Sequence, residues 1–264
     1  MSKNICTPSS FEDPLIKLKL KYDAESILQS SAQSTINNKK TVESVISGVV
    51  PTAPTIIFRK PLWWHLTSQV QQLSKKAFIK EHYPKLALLL RDNHFYLLFV
   101  ACFFQPEIDC PISYARFTCN LRQSTGRKPP AVLDIFPLII NHHYDSSTVQ
   151  KIFVTPDLKF YPSQESSESI CTIDFRNLIP SVKGNTENPV APFWEYFPFE
   201  DKPLIDYRFG YVLIMKPKEA KSIYLTLNIS AIVNTPYGEF KAYIKEKDKQ
   251  SLQSEICSEF IEFI

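Results

Sequence analysis

The stretch LALLLRDNHFYLLFVACFF, from Leu86 to Phe104, is the most apolar in the chain and decides which folds the chain can form. Its nineteen residues approach the length of about 20 that a transmembrane helix needs. However, Arg91 and Asp92 stand near its middle, where each charge costs roughly 2.5 to 3.5 kcal/mol of insertion free energy. Neighbouring Leu and Phe side chains return only about 0.3 to 0.6 kcal/mol each. We therefore do not expect this stretch to span a membrane.

The polar tetrad from Arg91 to His94 divides the stretch into two apolar runs. Asp and Asn favour turns because their side chains bond the nearby backbone and tolerate left-handed conformations. This pattern predicts a β-hairpin in which Leu86–Leu90 pairs with Phe95–Phe104 around a four-residue loop. The longer run does not alternate between apolar and polar residues, which is typical of a strand covered on both faces.

The remainder of the chain after residue 86 also has the pattern of short strands. The clearest is IYLTLNISAIV, residues 223–233, in which apolar and polar residues alternate as on a half-buried antiparallel strand. Ten strands are predicted in all: 86–90, 95–104, 112–122, 131–140, 148–160, 169–179, 206–216, 222–234, 238–245 and 257–264. The fold class is therefore mainly β, an antiparallel β-sandwich of about ten strands.

The residue pattern of the N-terminal third predicts a strand, a loop and a helix, which we expect to pack on this sandwich. Residues 16–21 alternate apolar residues with lysines, which indicates either an edge strand or a basic stripe for an acidic partner. Residues 62–82 have the spacing of an amphipathic helix, which can pack on the sheet or lie on a membrane surface. The expected organisation is a flexible terminus over 1–10, the strand, loop and helix over 11–85, and the β-sandwich domain over 86–264.

Composition excludes several functions. The five glycines are at least 26 residues apart, so no glycine-rich phosphate-binding motif exists. Lys and Arg total 30 against 27 Asp and Glu, a balance without the concentrated positive charge that nucleic-acid binding requires. We expect no nucleic-acid partner and no nucleotide cofactor, nor does any motif call for another cofactor.

Six cysteines occur without any C-x-x-C pair, and the start MSKNICTPSS lacks the apolar core of a secretory signal. Together these features predict free thiols and a soluble protein with a cytoplasmic location. Cys6 is close enough to the start to be acylated, although one lipid chain alone gives only marginal anchoring.

No recognisable catalytic motif is present. No serine stands in G-x-S-x-G, and no cysteine carries a local nucleophile signature. The weak metal candidates are His142, His143 and Asp145, but adjacent strand residues point to opposite faces and no third ligand has a characteristic spacing. The sequence leans against an enzyme and leaves a hydrolase with an unrecognised site as one alternative.

Two segments are candidates for recognition. The basic loop RQSTGRKPP supplies Arg122, Arg127 and Lys128. The proline-flanked segment APFWEYFPFEDKPL, residues 191–204, supplies five rings: Phe193, Trp194, Tyr196, Phe197 and Phe199. Trp and Tyr dominate binding hot spots, and a short loop can hardly bury five rings at once, so we expect part of this cluster to be exposed.

The leading functional hypothesis is a non-catalytic module that binds a protein partner through these aromatic and basic loops. The alternative is a membrane-acting effector that inserts the amphipathic helix or the apolar hairpin. The sequence does not define the partner or the oligomeric state.

Overall fold

The computed structural model of the chain describes residues 15–23, 51–123, 128–140, 150–162, 168–175, 181–198 and 203–257. In chain order its elements are β1 (Leu15–Lys19), β2 (Lys21–Tyr22), β3 (Thr55–Arg59), β4 (Leu62–His65), α1 (Thr67–Ser74), α2 (Ala77–His82), α3 (Pro84–Asp92), β5 (Asn93–Gln105), β6 (Ile112–Gln123), β7 (Ala131–Phe136), β8 (Ile139–Ile140), β9 (Gln150–Val154), β10 (Phe160–Pro162), β11 (Cys171–Phe175), β12 (Val182–Asn185), β13 (Phe193–Tyr196), β14 (Asp206–Pro217), β15 (Ser222–Thr235), β16 (Gly238–Tyr243), a 3-10 helix (Glu246–Leu252) and β17 (Gln253–Cys257).

Two antiparallel sheets form the body of the molecule. The first has the strand order β1-β3-β5-β14-β7, with β4 also paired to β5, and the second has the order β2-β16-β15-β6-β13-β12-β8, with β17 also paired to β15. Their inner faces pack together: ring centroids of Phe58 and Phe117 lie 6.0 Å apart, and those of Phe104 and Tyr196 lie 6.1 Å apart. The predicted mainly β, antiparallel sandwich with few helices is confirmed.

Strand β5 contains the longer apolar run and lies in the middle of the first sheet. It pairs with β14 along one edge and with β4 and then β3 along the other. Residues Phe95 to Cys102 are all buried. The prediction of a strand that is paired on both edges and covered on both faces is therefore correct for this run.

The predicted hairpin partner is wrong, because Leu86–Leu90 belongs to helix α3. Proline at position 84 fits the first turn of a helix, and the Lys, Leu and Ala residues that follow are strong helix formers without β-branches. Leu86 is buried while Leu88 is exposed, as expected for two faces of one helix. The polar tetrad does mark a boundary, but the boundary is that between a helix and a strand.

The single helix predicted over residues 62–82 is also wrong. Residues 62–65 form β4, which pairs with β5, and the backbone N–H of Leu66 still donates to the carbonyl of Phe95 at 2.8 Å. Pairing with the central strand thus overrides the helical spacing of these residues. Two short helices, α1 and α2, cover the remainder.

Within the described ranges no helix is long and apolar enough to cross a membrane.

Some long predicted strands are divided in the structure. Pro137 separates β7 from β8 within residues 131–140. A turn at 155–159 separates β9 from β10, with Leu158 in the left-handed region at φ 63°. Most of the predicted strand 257–264 lies outside the described residues, as do residues 1–10. The division at residues 85 and 86 stays a prediction, and one continuous hydrogen-bonded sheet crosses that boundary.

A third, three-stranded sheet, β10-β9-β11, is inserted between β8 and β12. The strands on either side of this insertion are hydrogen-bonded neighbours, since Ile140 pairs with Val182. The insertion contacts β7, where the backbone N–H of Phe160 donates to Oδ2 of Asp134 at 2.8 Å. It therefore leaves and rejoins the second sheet at adjacent strands.

The two large sheets approach each other closely where Trp194 on β13 meets Gly210 on β14. A Cβ atom at position 210 would lie 2.7 Å from Cε2 of Trp194 and closer still to Cζ2 and Cη2. The indole N–H of Trp194 donates to the carbonyl of Pro137 at 2.9 Å, and its side chain is completely buried. Glycine is therefore required here for packing, because any side chain would occupy the space of the ring.

We expect Gly210→Ala to lower the free energy of unfolding by about 1 to 3 kcal/mol or more, because it overpacks the core against Trp194. Trp194→Phe should also destabilise by leaving a cavity. The double variant should lose less than the sum of the two, since a smaller ring makes room for the methyl group. Urea denaturation of the four proteins measures this coupling, and strictly additive losses would contradict the packing described.

A second constrained region surrounds His94, at the start of β5. Its ring centroid lies 5.4 Å from that of His65 on β4, and Lys216 on β14 is its register partner. Lys216 is buried and donates through Nζ to the carbonyl of Ala220. Burial, followed by the positive charges of Lys216, His65 and Lys218, lowers the pKa of His94 to about 4. The imidazole is therefore neutral in the folded protein at neutral pH.

Acidification should destabilise the wild type more than a His94→Gln variant. The unfolded histidine binds a proton below its ordinary pKa of about 6.5, whereas the folded one does so only near pH 4. Stability present above the unfolded pKa is therefore lost as the pH falls from about 6.5 towards 4. Melting temperatures of both proteins at pH 7, 6, 5 and 4 provide the test; parallel pH profiles would show that His94 does not contribute.

Candidate functional site

The predicted aromatic cluster forms strand β13 rather than a loop. Strand alternation sends Trp194 and Tyr196 into the core, where both are buried, and sends Phe193 and Glu195 outward. Phe197, which follows the strand, is 39% exposed. Phe199 lies outside the described residues. Only the outward members of the cluster can therefore contact a partner, and their binding role stays a prediction.

The outward side chains of β13 organise those of the neighbouring strand β6. The guanidinium carbon of Arg116 lies 3.4 Å from the ring centroid of Phe193. In this position the positive charge is attracted by the π electrons of the ring. The hydroxyl of Tyr114 donates to Oε1 of Glu195 at 2.6 Å, and its ring centroid lies 5.6 Å from that of Phe197. Burial and the bond to Glu195 raise the pKa of Tyr114 to about 12. Tyr114 thus remains a hydrogen-bond donor at physiological pH.

The basic loop is separate from this aromatic surface. Arg122 is exposed near the end of β6, six residues from Arg116 and hence roughly 20 Å along the strand. Lys128 is exposed, and its backbone N–H donates to Oε1 of Glu219 at 3.2 Å. Arg127 lies outside the described residues. The structure therefore does not bring the two predicted recognition segments together.

The weak metal candidates His142, His143 and Asp145 lie outside the described residues. Elsewhere, the parts of the chain that the structure describes contain no group of three or more histidine, cysteine or acidic side chains placed to hold a metal ion.

Helices α1, α2 and α3 pack together beside the start of β5 and form a second exposed surface, which we call the helical surface. It displays two large apolar side chains: Phe78 is 51% exposed and Leu88 is 62% exposed. Five basic residues accompany them against two acidic ones: Lys75, Lys76, Lys80, Lys85 and Arg91 against Glu81 and Asp92. Sequence analysis identified the amphipathic character of residues 62–82 but missed the contribution of α3, because Leu86–Leu90 were assigned to a strand.

Three lysines of the helical surface have no anionic partner among the residues that the structure describes. Lys76 forms an ion pair with Glu168 at 2.6 Å, and Arg91 forms one with Asp92 at 3.0 Å. Among the described residues, no carboxylate lies within ion-pairing distance of Lys75, Lys80 or Lys85. The surface therefore presents uncompensated positive charge beside exposed apolar groups.

Comparisons with known proteins find no matching family model and no matching curated protein. Solved structures do match. A pore-forming protein is 12% identical over 62% of this chain and 78% of its own, with a TM-score of 0.33. The Clostridium perfringens NetB toxin in its membrane-inserted form is 8% identical over 92% of this chain and 94% of its own, with a TM-score of 0.32. Clostridium perfringens delta-toxin is 8% identical over 78% of this chain and 89% of its own, with a TM-score of 0.29.

The cytoplasmic location expected from the sequence is contradicted by these similarities to toxins and is withdrawn. The cysteine argument behind it is also inconclusive in physical terms. Within the described ranges, four cysteines are free and buried: Cys102, Cys110, Cys119 and Cys171. A buried thiol behaves as a small apolar group in any compartment, and burial raises the pKa of Cys102 and Cys119, which reduces their reactivity.

Truncation of buried Trp194 and of exposed Phe197 should reduce stability to very different extents. Trp194→Ala should lower stability by about 3 to 5 kcal/mol, because it empties a fully buried site. Phe197→Ala should change it by about 0.5 kcal/mol or less, the usual range for surface positions. Chemical denaturation of both variants checks this. Equal losses would show that Phe197 is as much part of the core as Trp194.

Proposed function

We propose that this protein acts on membranes and that its helical surface docks on bilayers containing anionic lipid. The observation that carries the proposal is the combination of exposed Phe78 and Leu88 with uncompensated lysines on three adjoining helices. Helices that lie in a membrane interface have this composition: apolar side chains enter the boundary of the acyl chains, and lysines contact the headgroups.

The expected strength is that of reversible docking. A lysine or arginine near an anionic surface contributes about 1 kcal/mol, so Lys75, Lys80 and Lys85 together contribute about 3 kcal/mol. Phe78 and Leu88 are already partly covered by protein, and transferring the exposed remainder adds about 1 kcal/mol each. A total of about 5 kcal/mol supports peripheral association that weakens as salt screens the charges.

The proposal differs from the insertion expected from the sequence. The apolar run 95–104 is the central strand of the first sheet, so its release would dismantle that sheet. Docking through the helical surface requires no such change, because the side chains concerned are already exposed.

Protein binding remains a second candidate, favoured by exposed Phe197 beside Tyr114. Such a partner would contact the outer face of the second sheet. Phe197→Ala would then abolish binding of the partner, whereas vesicle binding would persist.

The test is sedimentation with vesicles of phosphatidylcholine alone or with 30% phosphatidylserine. Wild-type protein should bind the anionic vesicles only. The triple variant Lys75→Gln, Lys80→Gln, Lys85→Gln should lose about a hundredfold in partitioning, the equivalent of about 3 kcal/mol. Phe78→Ser with Leu88→Ser should weaken binding at high salt as well as at low salt.

The matched control removes three exposed lysines elsewhere: Lys17→Gln, Lys183→Gln and Lys247→Gln on β1, β12 and the 3-10 helix. It has the same net charge as the triple variant and should retain most of the binding. The proposal fails if both variants lose binding equally, since net charge alone would then be responsible, or if the wild type does not distinguish the two kinds of vesicle.

A further inference from the structure

A trough crosses the outer face of the second sheet, over β6, β15 and β16. Strand register arranges its side chains in two rows. In one row Arg116 and Tyr243 flank Ser230, and in the next Tyr114 and Lys241 flank Ile232. Each row thus has an aromatic ring at one end and a cation at the other. In the first row the cation is on β6 and the ring on β16, and in the second row the ring is on β6 and the cation on β16.

The trough has the dimensions of a small-ligand site. Its flanking strands are separated by one intervening strand, so the two walls stand roughly 10 Å apart. The cavity has a volume of about 450 Å³ and is also lined by Asp23, which follows β2. Volumes of about 300 to 1,000 Å³ are typical of small-molecule sites. Ser230 is a small, exposed residue in the floor, so the space above it is open.

Arg116 is held ready to bind an anion. Its guanidinium carbon lies 3.4 Å from the ring centroid of Phe193, and none of its side-chain N–H groups donates a hydrogen bond to another described residue. Glu195, its register partner on β13, instead accepts the hydroxyl of Tyr114. No described carboxylate lies within ion-pairing distance of Arg116. A guanidinium held in this way matches the two oxygens of a carboxylate.

The rings of the trough offer stacking surfaces. Tyr243 is 37% exposed, and Tyr114 is oriented by Glu195 and Phe197. The π face of a tyrosine carries partial negative charge, and the C–H groups on the face of a pyranose ring carry partial positive charge. Tyr114 and Tyr243 belong to opposite walls, so each wall offers an aromatic surface on which a sugar ring can pack.

Charge limits the ligand further. The charged side chains that line the trough are Arg116, Lys241 and Asp23. A polyanion such as a nucleic acid would be repelled by Asp23, whereas a single anionic group can pair with Arg116. The hydroxyl of Ser230 is suited to bond a neutral hydroxyl group of the ligand.

We propose that this trough binds a saccharide that carries a single ring carboxylate. Arg116 receives the carboxylate, Tyr114 and Tyr243 pack on the sugar ring, and Ser230 forms the floor. Phe193 acts through Arg116 as a positioning residue. The site lies on the second sheet, whereas the helical surface packs beside a strand of the first, so it stands independently of the membrane proposal.

The test is titration of the full chain with methyl β-D-glucuronide and methyl β-D-glucoside, followed by NMR. Sodium acetate serves as the carboxylate without a ring. The glucuronide should bind about tenfold more tightly than the glucoside, as expected for one charge-assisted pair, and acetate should bind more weakly than the glucuronide. Arg116→Gln should remove the preference for the glucuronide. Ser230→Leu should abolish binding of both sugars by filling the floor.

Tyr243→Ser provides a second test if Ser230→Leu does not fold. It removes an exposed ring and should weaken the binding of both sugars about equally. Lys183→Gln is the control and should leave both affinities unchanged. Equal binding of glucuronide and glucoside by the wild type would overturn the proposal. So would acetate binding as tightly as the glucuronide, which would show an anion site only, or an undiminished preference in Arg116→Gln.

Discussion

The contact between Trp194 and the backbone of Gly210 sets the fit of the two large sheets. The indole lies directly on a residue without a side chain, and its N–H is bonded to the carbonyl of Pro137. Gly184, on the neighbouring strand, is equally confined by Ile135 and Pro137. In a chain with only five glycines, two therefore occupy positions where the sheets approach too closely for a Cβ atom. Sheet spacing is fixed here by the volume of one ring.

The same short strand connects this core to the outer surface. Trp194 and Tyr196 anchor β13 from the inside, and its outward residues Phe193 and Glu195 hold Arg116 and Tyr114. The orientation of the exposed groups is thus fixed by buried ones one residue away. A rigid scaffold of this kind lowers the entropy that a ligand must remove on binding.

Sequence patterns predicted those strands in which each face has the same environment along its whole length. They failed where tertiary contacts determine the secondary structure. Alternation identified β15, and an unbroken apolar run identified β5. Residues 86–90 are equally apolar, yet form a helix whose outer face is solvated. Around Trp194 alternation was hidden, because the outward Phe193 and Phe197 are as apolar as the inward rings. The trough could not be predicted, since Asp23, Tyr114 and Lys241 come together only through the register of four strands.

The three-stranded insertion is connected to the second sheet at only one place. Because β8 and β12 are hydrogen-bonded neighbours, the chain between them begins and ends at nearly the same place. Pairing of β8 with β12 therefore already holds the two ends of the insertion together, so the insertion itself need not supply the entropic cost of closing this loop. Its strands are nevertheless packed on the rest of the molecule, because Ile152, Val154 and Phe160 belong to the same hydrophobic core as the two large sheets. We therefore expect a change of length in the connections of this insertion to disturb the two large sheets less than a change within its buried strands.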